Sequence, residues 1–198
     1  MASQTLGHPL LPASWNDKPP SRKVEIDLSS PGLAVFELER LLFTGKAIIS
    51  HADEVWPRLY IGDQHSAENR ADLSKHRVTH ILNAAHCKRG VQPDIYEGME
   101  ITYMGIGAHD SCSFDMSVNF QAAADFIHMA LSRGGKVLVH CRVGVSRSAT
   151  LVLAYLMLKQ DLTLVEAICA VKDNRGVIPN RGFLRQLIKL DGRLFRAR

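Results

Sequence analysis

From Lys136 to Leu158 the chain reads KVLVHCRVGVSRSATLVLAYLML. An apolar strand pattern, Lys136–His140, runs directly into a loop bearing Gly144 and then into an apolar helix pattern, Ser148–Leu158. A strand that is apolar at successive positions needs both faces covered, which is the situation of a parallel sheet. The rest of the chain supplies the partners. Leu59–Ile61 (closed by Gly62), Thr79–Ala84 and Ile101–Ile106 read as strands. His65–His76, Ser117–Leu131, Leu164–Asn174 and Gly182–Leu194 read as helices. Strands alternating with helices predict an α/β domain with a central, mainly parallel sheet flanked by helices. Ligands in such sheets bind beyond the carboxyl ends of the strands, where the loop after His140 begins.

A chain of 198 residues with 46% hydrophobic content suits one domain with a sizeable core. Residues 1–32 hold five of the eight prolines, with Ser, Asp and Lys between them, and read as a flexible N-terminal arm. Val35–Leu42 (VFELERLL) is an amphipathic pattern that leads a domain spanning 33–198. The formal charge of +4 is too small to imply nucleic acid and suits a phosphorylated substrate. No membrane span is expected, because the longest apolar run, Ala149–Leu158, is half of the ~20 residues a span needs. Neither Met1-Ala2 nor the end Phe195–Arg198 carries a lipidation pattern.

The four cysteines, Cys87, Cys112, Cys141 and Cys169, have no zinc-site spacing, and the nine histidines are scattered, so no metal or other cofactor is expected. Met1–Trp15 lacks the pattern of a secretory signal. Free thiols in a reducing compartment, cytoplasmic or nuclear, are the expectation.

Cys141, five further residues, Arg147 and Ser148 lie between the strand and the helix, and each position has a chemical task. Backbone N–H groups from Arg142, Val143, Gly144, Val145, Ser146 and Arg147 can cradle the oxygens of a phosphate, with the helix N-terminus aimed at the same point. Gly144 admits close backbone approach. Arg147 can grip two oxygens at once, which Lys cannot. The same donors stabilise a thiolate and can lower a cysteine pKa from about 8.5 to roughly 3.5–7.5. Cys141 is thus the candidate nucleophile, forming a cysteinyl-phosphate without a base. Ser148 can donate to the sulfur and ease its departure.

HCRVGVSRS (140–148) resembles the signature of protein tyrosine phosphatases, and the domain is similar to the atypical dual-specificity phosphatases. The stretches DEVWPRLYIGD (53–63), THILNAAH (79–86), GAHDSCSFD (107–115) and IPNRGFLRQL (178–187) carry the likeness, which covers about residues 35–196. VFELERLL (35–42) and HADEVWP (51–57) draw it toward one subgroup.

A leaving phenolate or alkoxide needs a proton. The residues alone leave Asp110, Asp115 and Asp94 as candidates, with Asp115 also suited to cap the helix that follows it. The resemblance selects Asp110 as general acid. It also implies a site-positioning role for His140 and buttressing roles for Asn83 and Asn180, although both Asn residues have ordinary turn or capping readings. A Cys112–Cys141 disulfide under oxidation is a further, less favoured reading. A domain with no room for a pocket-deepening insert implies a shallow site open to phosphotyrosine, phosphoserine and phosphothreonine. Val143 and Val145 stand where phosphoinositide phosphatases carry lysines, which favours protein substrates. A phosphopeptide-binding scaffold is the rival, but such modules lose the nucleophile, the arginine or the acid. Last, Ser21–Leu28 (SRKVEIDL) has a basic pair before alternating apolar residues, as in peptides that dock mitogen-activated protein kinases. A strip that packs on its own domain explains the same pattern.

Overall fold

The computed structural model describes residues 24–87, 90 and 92–196. After a leading helix α1 (Pro31–Leu42) come β1 (Ala52–Trp56), β2 (Leu59–Gly62), α2 (Gln64–Glu68), α3 (Arg70–His76), β3 (His80–Asn83) and β4 (Thr102–Gly105). The second half holds α4 (Phe120–Ser132), β5 (Val137–His140), α5 (Arg147–Lys159), α6 (Leu164–Lys172) and α7 (Arg181–Asp191). The five strands lie in the order β1-β2-β5-β3-β4. All neighbours are parallel except the edge pair β1–β2.

The central strand β5 shows why the sheet needs two covers. Val137 and Val139 enter the main core, while Leu138 enters a second cluster on the opposite face with Ile81, Leu73, Ala67 and Tyr96. Neighbouring β3 obeys the same alternation, Leu82 on one side and Ile81 on the other. Helices α4, α5, α6 and α7 contribute to the main core, and α2 and α3 cover the other face. Helix α5 is buried from Ser148 to Met157 without interruption, so it carries no polar face. Each such Leu or Val contributes about 1.5–3 kcal/mol of burial, which anchors the helix whose first residues form the site. Among the described residues no helix is long and apolar enough to cross a membrane.

Three expectations change. The helix expected over His65–His76 is two helices, because Asn69 leaves helical geometry (φ −83°, ψ 85°) and its side chain accepts the Asp72 N–H to start α3. Ala52–Trp56 adds an edge strand, antiparallel to β2. The arm expected to end at residue 32 ends earlier: Ile26 packs against the core and Leu28 is only 8% exposed. The remainder of that expected arm, residues 1–23, lies outside the described residues.

Register sets the location of the site. Gly62, His140, Asn83 and Gly105 form one row across four strands at their carboxyl ends. The loops that follow these four residues therefore open at the same edge.

Candidate active site

Cys141 leaves the sheet at the centre of that edge and is 2% exposed. The loop after it owes its shape to where its carbonyls go. Arg142 O accepts the Gln64 N–H at 3.2 Å, Val145 O accepts the Ile178 N–H at 2.9 Å, and Ser146 O accepts the Thr150 N–H at 2.9 Å. Gly144 O accepts from Arg175 Nε at 3.0 Å. Every peptide bond among the described residues is trans, so a carbonyl turned outward leaves the next residue's N–H turned the other way. The N–H groups of Val143, Val145 and Ser146 are thereby aimed inward. Gly144 completes the turn at φ +74°, and a Cβ there would lie 2.6 Å from Gly62 O, so only glycine fits.

Two donors reach the sulfur directly. Gly144 N–H lies 3.2 Å from Cys141 Sγ, and Ser148 Oγ lies 3.3 Å from it. Burial by itself would push the Cys141 thiol up, but the Ser148 hydroxyl and the N–H groups of Ser148, Gly144 and Val143 outweigh it and bring the pKa below the ordinary thiol value. His140, just before it, is buried, and that burial lowers its pKa to about 4 against the opposing bond to Cys141 O, so its ring is neutral near pH 7. A neutral neighbour leaves the sulfur's stabilisation to hydrogen bonds, the helix end and Arg147.

Arg147 opens α5, and its Nη1 donates to Ala108 O at 3.1 Å. Its Nε is buried without a hydrogen-bond partner among the described residues, as is His140 Nε2. Both residues line a cavity of about 400 Å³ that has Cys141 in its wall. Arg147 Nε, a buried donor without a hydrogen-bond partner among the described residues, carries a desolvation cost that an oxyanion in the cavity removes, whereas in a neutral ring whose Nδ1 donates to Cys141 O the His140 Nε2 is an acceptor.

Asp110 stands beside this cleft on the loop after β4. Its Oδ1 accepts from Ser146 Oγ at 2.8 Å and from Asn180 Nδ2 at 2.9 Å, and its Oδ2 lies 4.0 Å from Arg147 Nε. With Oδ1 doubly engaged, a proton on this carboxyl sits on Oδ2, the oxygen nearer Arg147. Ser146 Oγ in turn accepts the Asn180 N–H at 3.1 Å. The acid loop, the phosphate loop and the start of α7 are thus one hydrogen-bonded unit.

The structure therefore brings together Cys141, Arg147, Asp110 and Ser148, with Arg142 on the cavity wall and Val143 63% exposed at the loop's outer turn. The rival carboxylates do other things. Asp115 binds the N–H and hydroxyl of Ser117, and Asp94 belongs to the 3-10 turn Pro93–Tyr96. Asn83 is buried on the cavity wall, donating to Tyr103 OH at 2.9 Å and accepting the Ala85 N–H at 2.8 Å. Asn180 combines both readings: it caps α7 by accepting the Phe183 N–H and also holds Asp110. His109 packs its ring against Phe114. Cys112 is exposed beside Gly182, and the cysteine that shares the cavity wall with Cys141 is Cys87. The residues that sequence reasoning missed are Gln64, Cys87 and Arg175. Gln64 opens α2, and Cys87 and Arg175 lie in two different loops; each is far from the motif in sequence, and no local pattern singles it out.

The family model for the dual specificity phosphatase catalytic domain matches residues 59–192. Dual specificity protein phosphatase 26 of Homo sapiens is 67% identical over 165 residues, which is 83% of this chain and 78% of that protein. Among solved structures, human DUSP28 superposes with a TM-score of 0.67 at 28% identity, covering 75% of this chain and 98% of that one. DUSP15 superposes with a TM-score of 0.61 at 33% identity, covering 71% and 86%.

Proposed function

Since this chain belongs to the dual specificity phosphatase catalytic-domain family, and is by that membership a dual-specificity protein phosphatase, we propose that Cys141 carries its reaction through a cysteinyl-phosphate. The observation that supports this most is the pairing of a hydrogen-bonded sulfur of lowered pKa with the buried Nε of Arg147, which has no hydrogen-bond partner among the described residues, on one cavity. The thiolate attacks phosphorus, the S–P bond forms and the P–O bond to the substrate breaks. Asp110 passes its Oδ2 proton to the departing oxygen. Water then attacks the phosphocysteine, Asp110 takes up the water proton, and the S–P bond breaks with the Ser148 hydroxyl donating to the returning thiolate. Inward N–H groups and Arg147 hold the equatorial oxygens throughout. The free thiols support a reducing compartment, cytoplasmic or nuclear.

The proton assignment has its own test. Asp110→Asn is expected to lower kcat/KM on substrates with poor leaving groups by about 10²–10⁴-fold and to flatten the basic limb of their pH–rate profile. Leaving groups that need no proton should be affected far less. Equal losses on both classes would move the role elsewhere, with Asp115 the next carboxylate to examine.

The finer reading names phosphorylated mitogen-activated protein kinases among the substrates, through Arg22, Lys23 and the apolar residues after them. Ile26 packs against the protein's own core and Leu28 is buried, so packing accounts for those two, and Val24, 43% exposed, is the apolar residue left outward. Arg22 and Lys23 lie outside the described residues. Reversing both charges is expected to slow dephosphorylation of such a kinase while aryl-phosphate hydrolysis stays unchanged. A kinase reaction indifferent to the change removes the docking reading.

A further inference from the structure

Three carbonyls of the phosphate loop are fastened from outside it, those of Arg142 and Val145 by backbone N–H groups and that of Gly144 by the side chain of Arg175. It lies in the loop between α6 and α7, beyond the Cys-to-Arg motif, and its side chain is fully buried. Nε donates to Gly144 O at 3.0 Å. Nη1 donates to Ser50 O at 3.0 Å and to Asp53 Oδ2 at 2.6 Å on β1. Asp53 is itself fixed by the Ser50 hydroxyl, which donates to Oδ1 at 2.6 Å. Nη2 is buried without a hydrogen-bond partner among the described residues and lies 2.8 Å from where a Cβ on Gly144 would stand.

A buried guanidinium carries a large desolvation cost unless it is paired. Here one carboxylate and two carbonyls answer it, and one of those carbonyls belongs to the glycine whose N–H touches the nucleophile. We propose that Arg175 is a positioning residue for phosphoryl transfer, turning the Gly144 carbonyl outward so that the flanking N–H groups face the sulfur and the phosphate.

The geometry gives this role its content. Gly144 is in the left-handed region, where the peptides on either side can flip with little steric penalty. A flip of the Gly144–Val145 peptide would point a carbonyl oxygen toward the thiolate and remove one inward donor. Arg175 Nε opposes that flip with a charge-assisted hydrogen bond, and Asp53 fixes the direction of the guanidinium. A side chain filling space would not need this directed set of acceptors. The role rests on Cys141 being the nucleophile, since it acts through that residue's stabilisation.

Arg175→Lys keeps the charge but cannot bridge Gly144 O, Ser50 O and Asp53 together, and Arg175→Met keeps bulk without donors. Both are compared with the full-length wild type in aryl-phosphate turnover and in the pH dependence of Cys141 alkylation by iodoacetate. For Arg175→Lys the expected results are a fall in kcat/KM of about 100-fold, the scale of losing one preorganised donor, and an alkylation midpoint displaced upward by about one pH unit. Arg175→Met should show the larger change in both. A merely structural residue would lower the melting temperature and leave the midpoint where it is. Folded variants with kcat/KM within threefold of wild type and an unmoved midpoint would overturn the proposal. Should neither variant fold, Asp53→Asn removes the orienting charge and leaves Gly144 untouched. A raised midpoint there supports the role, and an unmoved one ends it. Cys141→Ser in the same turnover assay separates the two readings. Residual turnover in that variant removes the nucleophile assignment, whereas an inactive Cys141→Ser beside a fully active Arg175→Lys removes only the role of Arg175.

Discussion

Cys141→Ser is expected to lower turnover of an aryl phosphate by about 10⁴–10⁶-fold, the scale seen when a covalent nucleophile is removed. It should leave affinity for inorganic phosphate or a phosphopeptide within a few-fold of wild type. The two halves have different origins. The oxyanion is held by Arg147 and by inward N–H groups whose carbonyls are fastened to Gln64, Arg175 and Ile178. None of these depends on the sulfur. Nucleophilicity depends on it entirely, because hydrogen bonds that bring a thiol below its ordinary pKa cannot ionise a hydroxyl near neutral pH. Steady-state kinetics and calorimetric titration check the two halves separately. Turnover near the wild-type rate would show that another group attacks phosphorus.

The second large effect is expected at Arg147. Replacing it with Lys should reduce kcat/KM by about 10²–10⁴-fold, or about 3–5 kcal/mol of transition-state stabilisation. Arg147 does two jobs with one planar group. Nη1 is fixed on Ala108 O at 3.1 Å, which ties the phosphate loop to the acid loop, while the buried Nε remains for the ligand. An ammonium is a point charge and cannot hold the carbonyl and grip an oxyanion in one plane. The loss should appear mainly in kcat, because the geometry sought is that of the transferring phosphoryl group. A loss under tenfold, about 1.4 kcal/mol, would show that the fork is not used.

What was legible in the sequence follows from what lies close together along it. Cys141, Gly144, Arg147 and Ser148 sit in one eight-residue run between a strand and a helix, and their spacing alone states the chemistry. Asp110 could not be chosen over Asp115 and Asp94 on spacing. What distinguishes it is that two side chains, Ser146 and Asn180, converge on one of its oxygens, and that convergence is tertiary. Arg175 left no signal at all, because a single Arg in the run DNRG reads as solvated charge until the topology places Asp53 opposite it. The fold shows the same division. Buried strands with continuous apolar runs were readable, whereas β1, with Asp53 and Glu54 at an edge, broke the alternation that marks a strand. The split at Asn69 was hidden because the apolar spacing continues across it while the capping side chain restarts the helix. Leu28 was legible as one end of the alternating Val24, Ile26, Leu28 strip, but spacing alone could not choose between docking a partner and packing on its own domain.

The pairing of Asp53 with Arg175 also bears on how portable this catalytic unit is. The family match begins at residue 59 and so contains Arg175 and every residue that lines the cleft, but not β1. A fragment or chimera cut at that boundary would keep the whole phosphate site and lose the anion that faces a fully buried cation. It would also lose α1, whose Glu39 grips Arg181 in a bidentate pair at the first turn of α7, next to the Asn180 that holds Asp110. Leaving a buried charge without its partner costs about 3–5 kcal/mol, a large share of the 5–15 kcal/mol that holds an ordinary domain together. The segment that can be moved between proteins with its chemistry intact is thus longer than the segment the family model matches, and its natural start lies ahead of Leu28.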